Sequence, residues 1–238
     1  PIRRINAINH NDLNNLMNKK TETQNHHLKT ITLGSELLDY LIQHNGDLEG
    51  RIPSLGELSN ELHVSVSKLR EQLEVARQLG LVSVRPRTGI HRQPYSFMPA
   101  VRLGLFYALA TNIVLFDDYH HLRLQIEISY WHAAVSLLTP EDKQGLLSLI
   151  DRAWDKLRGT PIRIPHHEHR EFHMAIFSRL ENVFVRGLLE AYWEAYEAVE
   201  LHTYADYGYL KEVWEYHELI ARRIVDGDVE GSLQAYIE

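Results

Sequence analysis

Apolar residues recur at helical spacing from Ile31 to His44, where Leu33, Leu37, Leu38, Leu41 and Ile42 fall on one stripe, so the pattern predicts a first helix. Pro53 and Ser54 then open a second helix. Ser54 is placed to cap it, and Glu57, three residues on, completes a capping box; the run lasts to about Leu62. The link His63-Val64-Ser65 leads to a third helix capped by Ser65, whose stripe is Val66, Leu69, Leu73 and Ala76 and which Gly80 stops. Leu81-Val82-Ser83-Val84, the turn Arg85-Pro86-Arg87-Thr88-Gly89, and Ile90-His91-Arg92 read as a short β-hairpin.

Helix, helix, tight turn, helix and hairpin, in that order, predict a winged helix-turn-helix domain over residues 31–93. Residues 1–30 are rich in Asn, His, Lys and Thr and poor in apolar positions, which predicts a flexible tail. Residues 94–99, with Pro94 and Pro99 at the ends, predict a linker. From 100 to 238 the periodicity is helical throughout, with helices expected at roughly 100–114, 118–138, 140–157, 166–180, 182–204, 209–226 and 228 to the end. Thr139-Pro140-Glu141-Asp142 is the strongest start signal: an N-cap threonine, a proline at the first helical position and acids in the first turn. The expected fold class is mainly α, an N-terminal winged helix-turn-helix followed by an all-α antiparallel helical bundle.

Composition narrows the chemistry. The chain has 238 residues, 44% hydrophobic and 24% charged, ordinary values for a globular protein able to bury a core. It has no cysteine, so any metal must be held by His, Asp or Glu, and a reducing, cytoplasmic setting is expected. The apolar run Leu103–Phe116, broken by Thr111 and Asn112, is too short to span a bilayer, so no membrane association is expected. The formal net charge is -7, yet between Val66 and Arg92 six basic residues (Lys68, Arg70, Arg77, Arg85, Arg87, Arg92) face only Glu71 and Glu74. A basic segment on an acidic body suits a protein that neutralises phosphates with one face.

In a helix-turn-helix the N-terminal residues of the second helix meet base edges. Here these are Ser65, Ser67, Lys68 and Arg70, with Arg70 able to donate twice to guanine and the others suited to phosphates or either base type. Arg85, Arg87, Thr88 and Gly89, at the hairpin tip, would reach the backbone or minor groove. The same residues also fit a solvated amphipathic helix. The chain resembles the GntR superfamily, through PSLGELS at 53–59, VS at 64–65, LREQLEVARQLGLV at 69–82 and RPRTGI at 85–90. The resemblance implies a homodimer that binds a palindromic double-stranded DNA operator, in the manner of a repressor. Gly56 and Val66 stand where many members carry DNA-contacting arginines, which implies a different operator sequence.

Fifteen histidines are present, and His166-His167-Glu168-His169-Arg170-Glu171-Phe172-His173 is the densest stretch. His169 and His173, four apart, share a helical face and could share a metal, with His217 as a third ligand; a solvated histidine cluster is the other reading. The second half resembles the FCD ligand-binding domain of FadR-like GntR regulators, through Arg123-Leu124-Gln125-Ile126-Glu127, His169–His173, Asn182, Tyr216-His217 and Gly227-Asp228. That resemblance implies His169, His173 and His217 as ligands of a divalent transition metal, zinc or nickel, with His169 in place of the family's aspartate. The family's last histidine would fall about 22 residues after His217, one position beyond Glu238. Arg123 is expected to contact a small carboxylate effector; a structural pair with Glu127 is its alternative role, and Glu127 and Asn182 are read as bracing or capping helices.

Two rival functions remain open. A helical metal-dependent enzyme is disfavoured because the chain has no H-E-x-x-H, nucleophile elbow or phosphate-binding glycine loop. A metal-free sensor of an acyl-type ligand is disfavoured because such a pocket would be lined by apolar residues rather than histidines. The expected protein is a ligand-responsive DNA-binding regulator and not an enzyme.

Overall fold

The computed structural model describes residues 32–44, 51–200 and 206–238, and the expected tail over 1–30 lies outside them. The chain divides into two compact units between Pro94 and Tyr95.

The first unit contains α1 (Glu36–Gln43), β1 (Arg51–Ile52), α2 (Leu55–Leu62), α3 (Val66–Gln78), β2 (Val82–Arg85) and β3 (Gly89–Arg92). Its helix starts are those the side chains dictate. Ser54 accepts from the Glu57 amide while the Glu57 carboxylate accepts from the Ser54 amide, and the Ser65 hydroxyl accepts from the Lys68 amide. Leu37, Leu58, Leu69 and Ala76 are fully buried and pack with Ile52, Val82 and Ile90. The hairpin is the wing, and Arg87 adopts a left-handed conformation (φ 69°) at its turn. β1 joins its outer edge, pairing Arg51 with His91 and Ile52 with Ile90, to give a sheet of order β1-β3-β2. This is a winged helix-turn-helix with a third strand that the sequence pattern did not announce.

Two stripe positions differ from expectation. Leu33 precedes α1 and is 53% exposed, and Val66, in the first turn of α3, is 36% exposed. Each stands at or before a helix start, where the neighbouring turn that would cover it is missing.

The second unit comprises α4 (Met98–Thr111), α5 (Leu115–Ser136), α6 (Pro140–Leu157), α7 (His166–Ile176), α8 (Val183–Glu200), α9 (Tyr207–Asp226) and α10 (Val229–Ile237). Thr139 and Asp142 form a second capping box, and Asn182 caps α8 by accepting from the amides of Phe184 and Val185. α7 is shorter than expected and ends at Ile176, and the extension of α8 beyond Glu200 lies outside the described residues. Trp131, Phe172, Ile176, Phe177, Leu189, Trp214 and Ile224 fill the core. Tyr95 and Phe97, in the expected linker, set their rings against Phe184 at 6.1 and 5.2 Å. Gly187 permits this close approach, because a Cβ there would lie 2.7 Å from the Met98 amide nitrogen.

Truncation of Leu69 should separate core from surface on α3. Leu69→Ala is expected to cost about 2–5 kcal/mol in urea unfolding, and Val75→Ala, at a half-exposed position of the same helix, less than about 0.5 kcal/mol.

Candidate metal and anion centre

α7 presents His169 and His173 one turn apart, and α9 brings His217 across to them, so that one ligand atom from each lies within 4.8 Å of the other two. Their anchorage comes from the core: Phe172, between the two α7 histidines, is fully buried and packs its ring, tilted by 59°, at 4.9 Å from the His217 ring. His173 and His217 are buried and His169 half-buried. The His173 and His217 Nε2 atoms face each other at 3.1 Å. A tetrahedral ion with Zn–N bonds of about 2.0–2.1 Å needs two ligand nitrogens about 3.3–3.4 Å apart, so these two require only a small separation.

Burial comes first among the causes that push all three imidazoles below their usual range, followed for His169 and His173 by repulsion from Arg123 and the neighbouring rings. His217 is pushed down to about 4, with its hydrogen bond to the Val213 carbonyl opposing the shift. Neutral imidazoles are the form that binds a metal. The donor set therefore fits a borderline divalent ion.

Arg123, on α5, lies in the same site. Its Nε donates to Glu127 Oε1 at 2.8 Å and its Nη2 to His173 Nδ1 at 2.9 Å. The guanidinium sits 4.9 Å from the centre of the Trp193 ring and 5.0 Å from that of Tyr192, both on α8. Burial, the largest single influence, would lower its pKa, but Glu127, Tyr236 and Tyr192 together outweigh it and raise the pKa. Burial pushes the Glu127 carboxyl up, against the pull of Arg123 and of Tyr236, whose hydroxyl donates to Oε2. Of the two roles read for Arg123 in the sequence, the pair with Glu127 is present in the fold, and the guanidinium also borders the histidines. Trp193 Nε1 is buried and has no hydrogen-bond partner among the described residues, which leaves a spare donor on a ring stacked 4.8 Å from His173.

Trp193 and Tyr236 belong to the site and escaped the sequence reading, whereas Glu127 is read there as a partner of Arg123 and a helix brace. What the spacing of Glu127 after Arg123 did not show is that the same carboxylate also lies 3.3 Å from His173 Nδ1. Nothing marked Trp193 or Tyr236, because both fall in apolar stripes and only the packing of α8 and α10 brings them here.

In the first unit, Ser65, Ser67, Lys68 and Arg70 are all exposed at the start of α3, and Arg85, Arg87 and Thr88 at the wing, with Gly89 half-buried in the turn. Several of the basic residues already have partners. Lys68 is ion-paired with Glu36 of α1, whose carboxyl this bond and one from Gln72 hold down at about 2. Arg77 pairs with Glu74, and Arg92 donates to the carbonyls of Leu41 and His44, tying the wing to α1. Arg70 makes no ion pair among the described residues. Arg51, unremarked in the sequence, lies against the wing turn, its Nε 3.3 Å from where a Cβ on Gly89 would stand.

A family model, the FCD domain, matches residues 118–238, which contain all three histidines and Arg123. The chain belongs to this family. The FCD domain follows a winged helix-turn-helix, the organisation that the GntR resemblance implied, and family and fold are those of transcription regulators rather than enzymes. Among solved structures, Streptococcus agalactiae GntR is 19% identical, with 84% of this chain and 92% of that one covered and a TM-score of 0.59. Escherichia coli McbR/YncC is 20% identical over 81% of this chain and 84% of its own, with a TM-score of 0.41. None of the curated proteins compared with the chain matches it. No described helix is long and apolar enough to cross a membrane.

The depressed imidazole pKa values couple FCD-domain stability to pH. The unfolded chain takes up protons near about 6.5 while the folded rings stay neutral, so stability is full above about 6.5 and is lost as pH falls toward about 4. Thermal melts in EDTA should show a midpoint at least ~3 °C lower at pH 5 than at pH 7, and His217→Gln should flatten that slope.

Proposed function

We propose that this regulator binds a divalent transition metal through His169, His173 and His217, and that the metal with Arg123 holds a small carboxylate effector. The observation that carries this reading is the convergence of three neutral imidazoles and one buried guanidinium in a single site of an FCD domain. Three nitrogen ligands leave positions open on a zinc or nickel ion, which would supply two positive charges and a place for an anion. Arg123 would add a planar fork that matches a carboxylate, and Trp193 Nε1 a further donor for an oxygen of the same ligand. His169 in place of the family's aspartate leaves the ligand set uncharged, so the ion's whole charge is available to an anion.

The DNA-reading unit would act as a homodimer in the cytoplasm, with two α3 helices about one helical turn apart on a palindromic operator. Leu103 and Tyr107, one turn apart on α4 and 53% and 74% exposed, offer apolar surface that a second copy could cover. Arg70 would read bases, Ser65, Ser67 and Lys68 would reach phosphates or bases, and Arg85, Arg87, Thr88 and Gly89 would follow the adjoining backbone. Effector binding would alter the spacing of the two recognition helices.

Untagged protein purified without added metal should carry close to one transition-metal equivalent per chain by mass spectrometry, and His173→Ala close to none; no metal in either removes the metal from the reading. Binding to duplex DNA should weaken steeply with salt, and Arg87→Ala should reduce the slope of log K against log salt by about 1. A slope near zero in the parent chain would exclude the DNA role.

A further inference from the structure

Hydrogen-bond direction fixes the tautomers of two of the three imidazoles. A guanidinium has only donors, so Arg123 Nη2, 2.9 Å from His173 Nδ1, must donate to a lone pair there. A backbone carbonyl only accepts, so His217 Nδ1, 2.6 Å from the Val213 oxygen, must carry that ring's proton. With both rings neutral, the proton of His173 is therefore on Nε2 and His217 Nε2 is a lone pair. Their 3.1 Å contact is then one N–H···N hydrogen bond, with His173 as donor. The chain from Arg123 through His173 and His217 to Val213 is complete as it stands, every donor facing an acceptor.

That order conflicts with metal binding at one atom. The His173 nitrogen that faces His217 bears a proton, whereas a ligand nitrogen must offer a lone pair. Glu127 supplies the way out, since its Oε2 lies 3.3 Å from His173 Nδ1, on the side now occupied by Arg123. We infer that metal binding exchanges the partner of His173: its proton passes from Nε2 to Nδ1, Nδ1–H donates to Glu127 Oε2, and Arg123 Nη2 is released to bind the effector carboxylate. This inference rests on the metal reading above.

The exchange balances. Nε2 gives one proton to water, Nδ1 takes one from water, the ring stays neutral, and the free Nε2 lone pair becomes the ligand. Arg123 is not cast loose, because its Nε remains bonded to Glu127 Oε1 at 2.8 Å. Only the Nη2 end is freed, already oriented by that anchor and by the Trp193 and Tyr192 rings. Tyr236, whose hydroxyl donates to Glu127 Oε2, keeps the carboxylate turned toward His173. Glu127 is thereby a positioning residue, acting on the metal through His173 as outer-sphere carboxylates do for other ligating histidines. The functional consequence is an order of binding, metal first and carboxylate second, since without the metal the guanidinium is engaged by His173.

The test is the tautomer itself. Full-length protein labelled with 15N-histidine and freed of metal with EDTA is examined by long-range proton–nitrogen correlation spectra, before and after one equivalent of Zn2+, with His173 assigned from its loss in His173→Gln. The expected spectra show His173 protonated on Nε2 before zinc and on Nδ1 after it, while His217 stays protonated on Nδ1 throughout. Glu127→Gln should weaken zinc binding about 10- to 100-fold with an unchanged far-ultraviolet dichroism spectrum. His173 already protonated on Nδ1 in the metal-free protein, or unchanged while zinc binds, overturns the exchange and leaves the metal reading standing. Failure to bind zinc at all overturns both, and the metal-free spectrum alone then reports whether Arg123 donates to His173.

Discussion

Arg123 and Glu127 are opposite charges buried side by side, and a buried charge is stable only when its partners are complete. Glu127 is fully buried and Arg123 is 7% exposed, so neither can turn to water for a missing bond. Their satisfaction recruits three other elements: His173 from α7 and Tyr236 from α10 by hydrogen bonds, and Tyr192 and Trp193 of α8 by their rings. His173 in turn engages His217 on α9. Five helices are thereby joined through polar contacts at the place where an ion and an anion would enter. Low dielectric there sharpens every such contact, and changing the partner of one atom changes the demands on the rest.

The first unit solves a different problem. An unopposed cluster of cations is self-repelling, and three of the unit's six basic residues between Val66 and Arg92 are tied to neighbours within the unit. Arg92 fixes the wing to α1 and Arg77 staples its own helix. Arg70, Arg85 and Arg87 remain exposed on α3 and at the wing, and Arg51 joins them from β1. On the DNA-binding reading proposed above, the charge open to phosphates would be set less by how many cations the segment contains than by which of them lack an internal carboxylate or carbonyl among the described residues.

The fold was legible wherever a local rule governs it. Ser54 with Glu57, Ser65, Thr139 with Asp142, and Asn182 cap helices through bonds spanning two or three residues, and such spans can be read from a string of letters. β1 was not legible, because two residues carry no periodicity and the strand exists only through its pairing with β3. In the site, the i, i+4 spacing of His169 and His173 was visible, and family resemblance joined His217 to them across more than forty residues of sequence. Trp193 and Tyr236 were not, since nothing in an apolar stripe distinguishes a ring that packs in the core from one that lines a polar centre. The Lys68–Glu36 pair was hidden by distance along the chain, its partners lying 32 positions apart.

The proposed metal centre can be questioned most directly by X-ray absorption at the zinc edge, on full-length protein carrying one equivalent of Zn2+. Three imidazole nitrogens at about 2.0–2.1 Å, with the outer-shell scattering of their rings, are expected for the parent chain, and two for His169→Ala. A shell of oxygens without imidazole scattering, or the same spectrum from His169→Ala and His173→Ala as from the parent, would contradict the three-histidine centre.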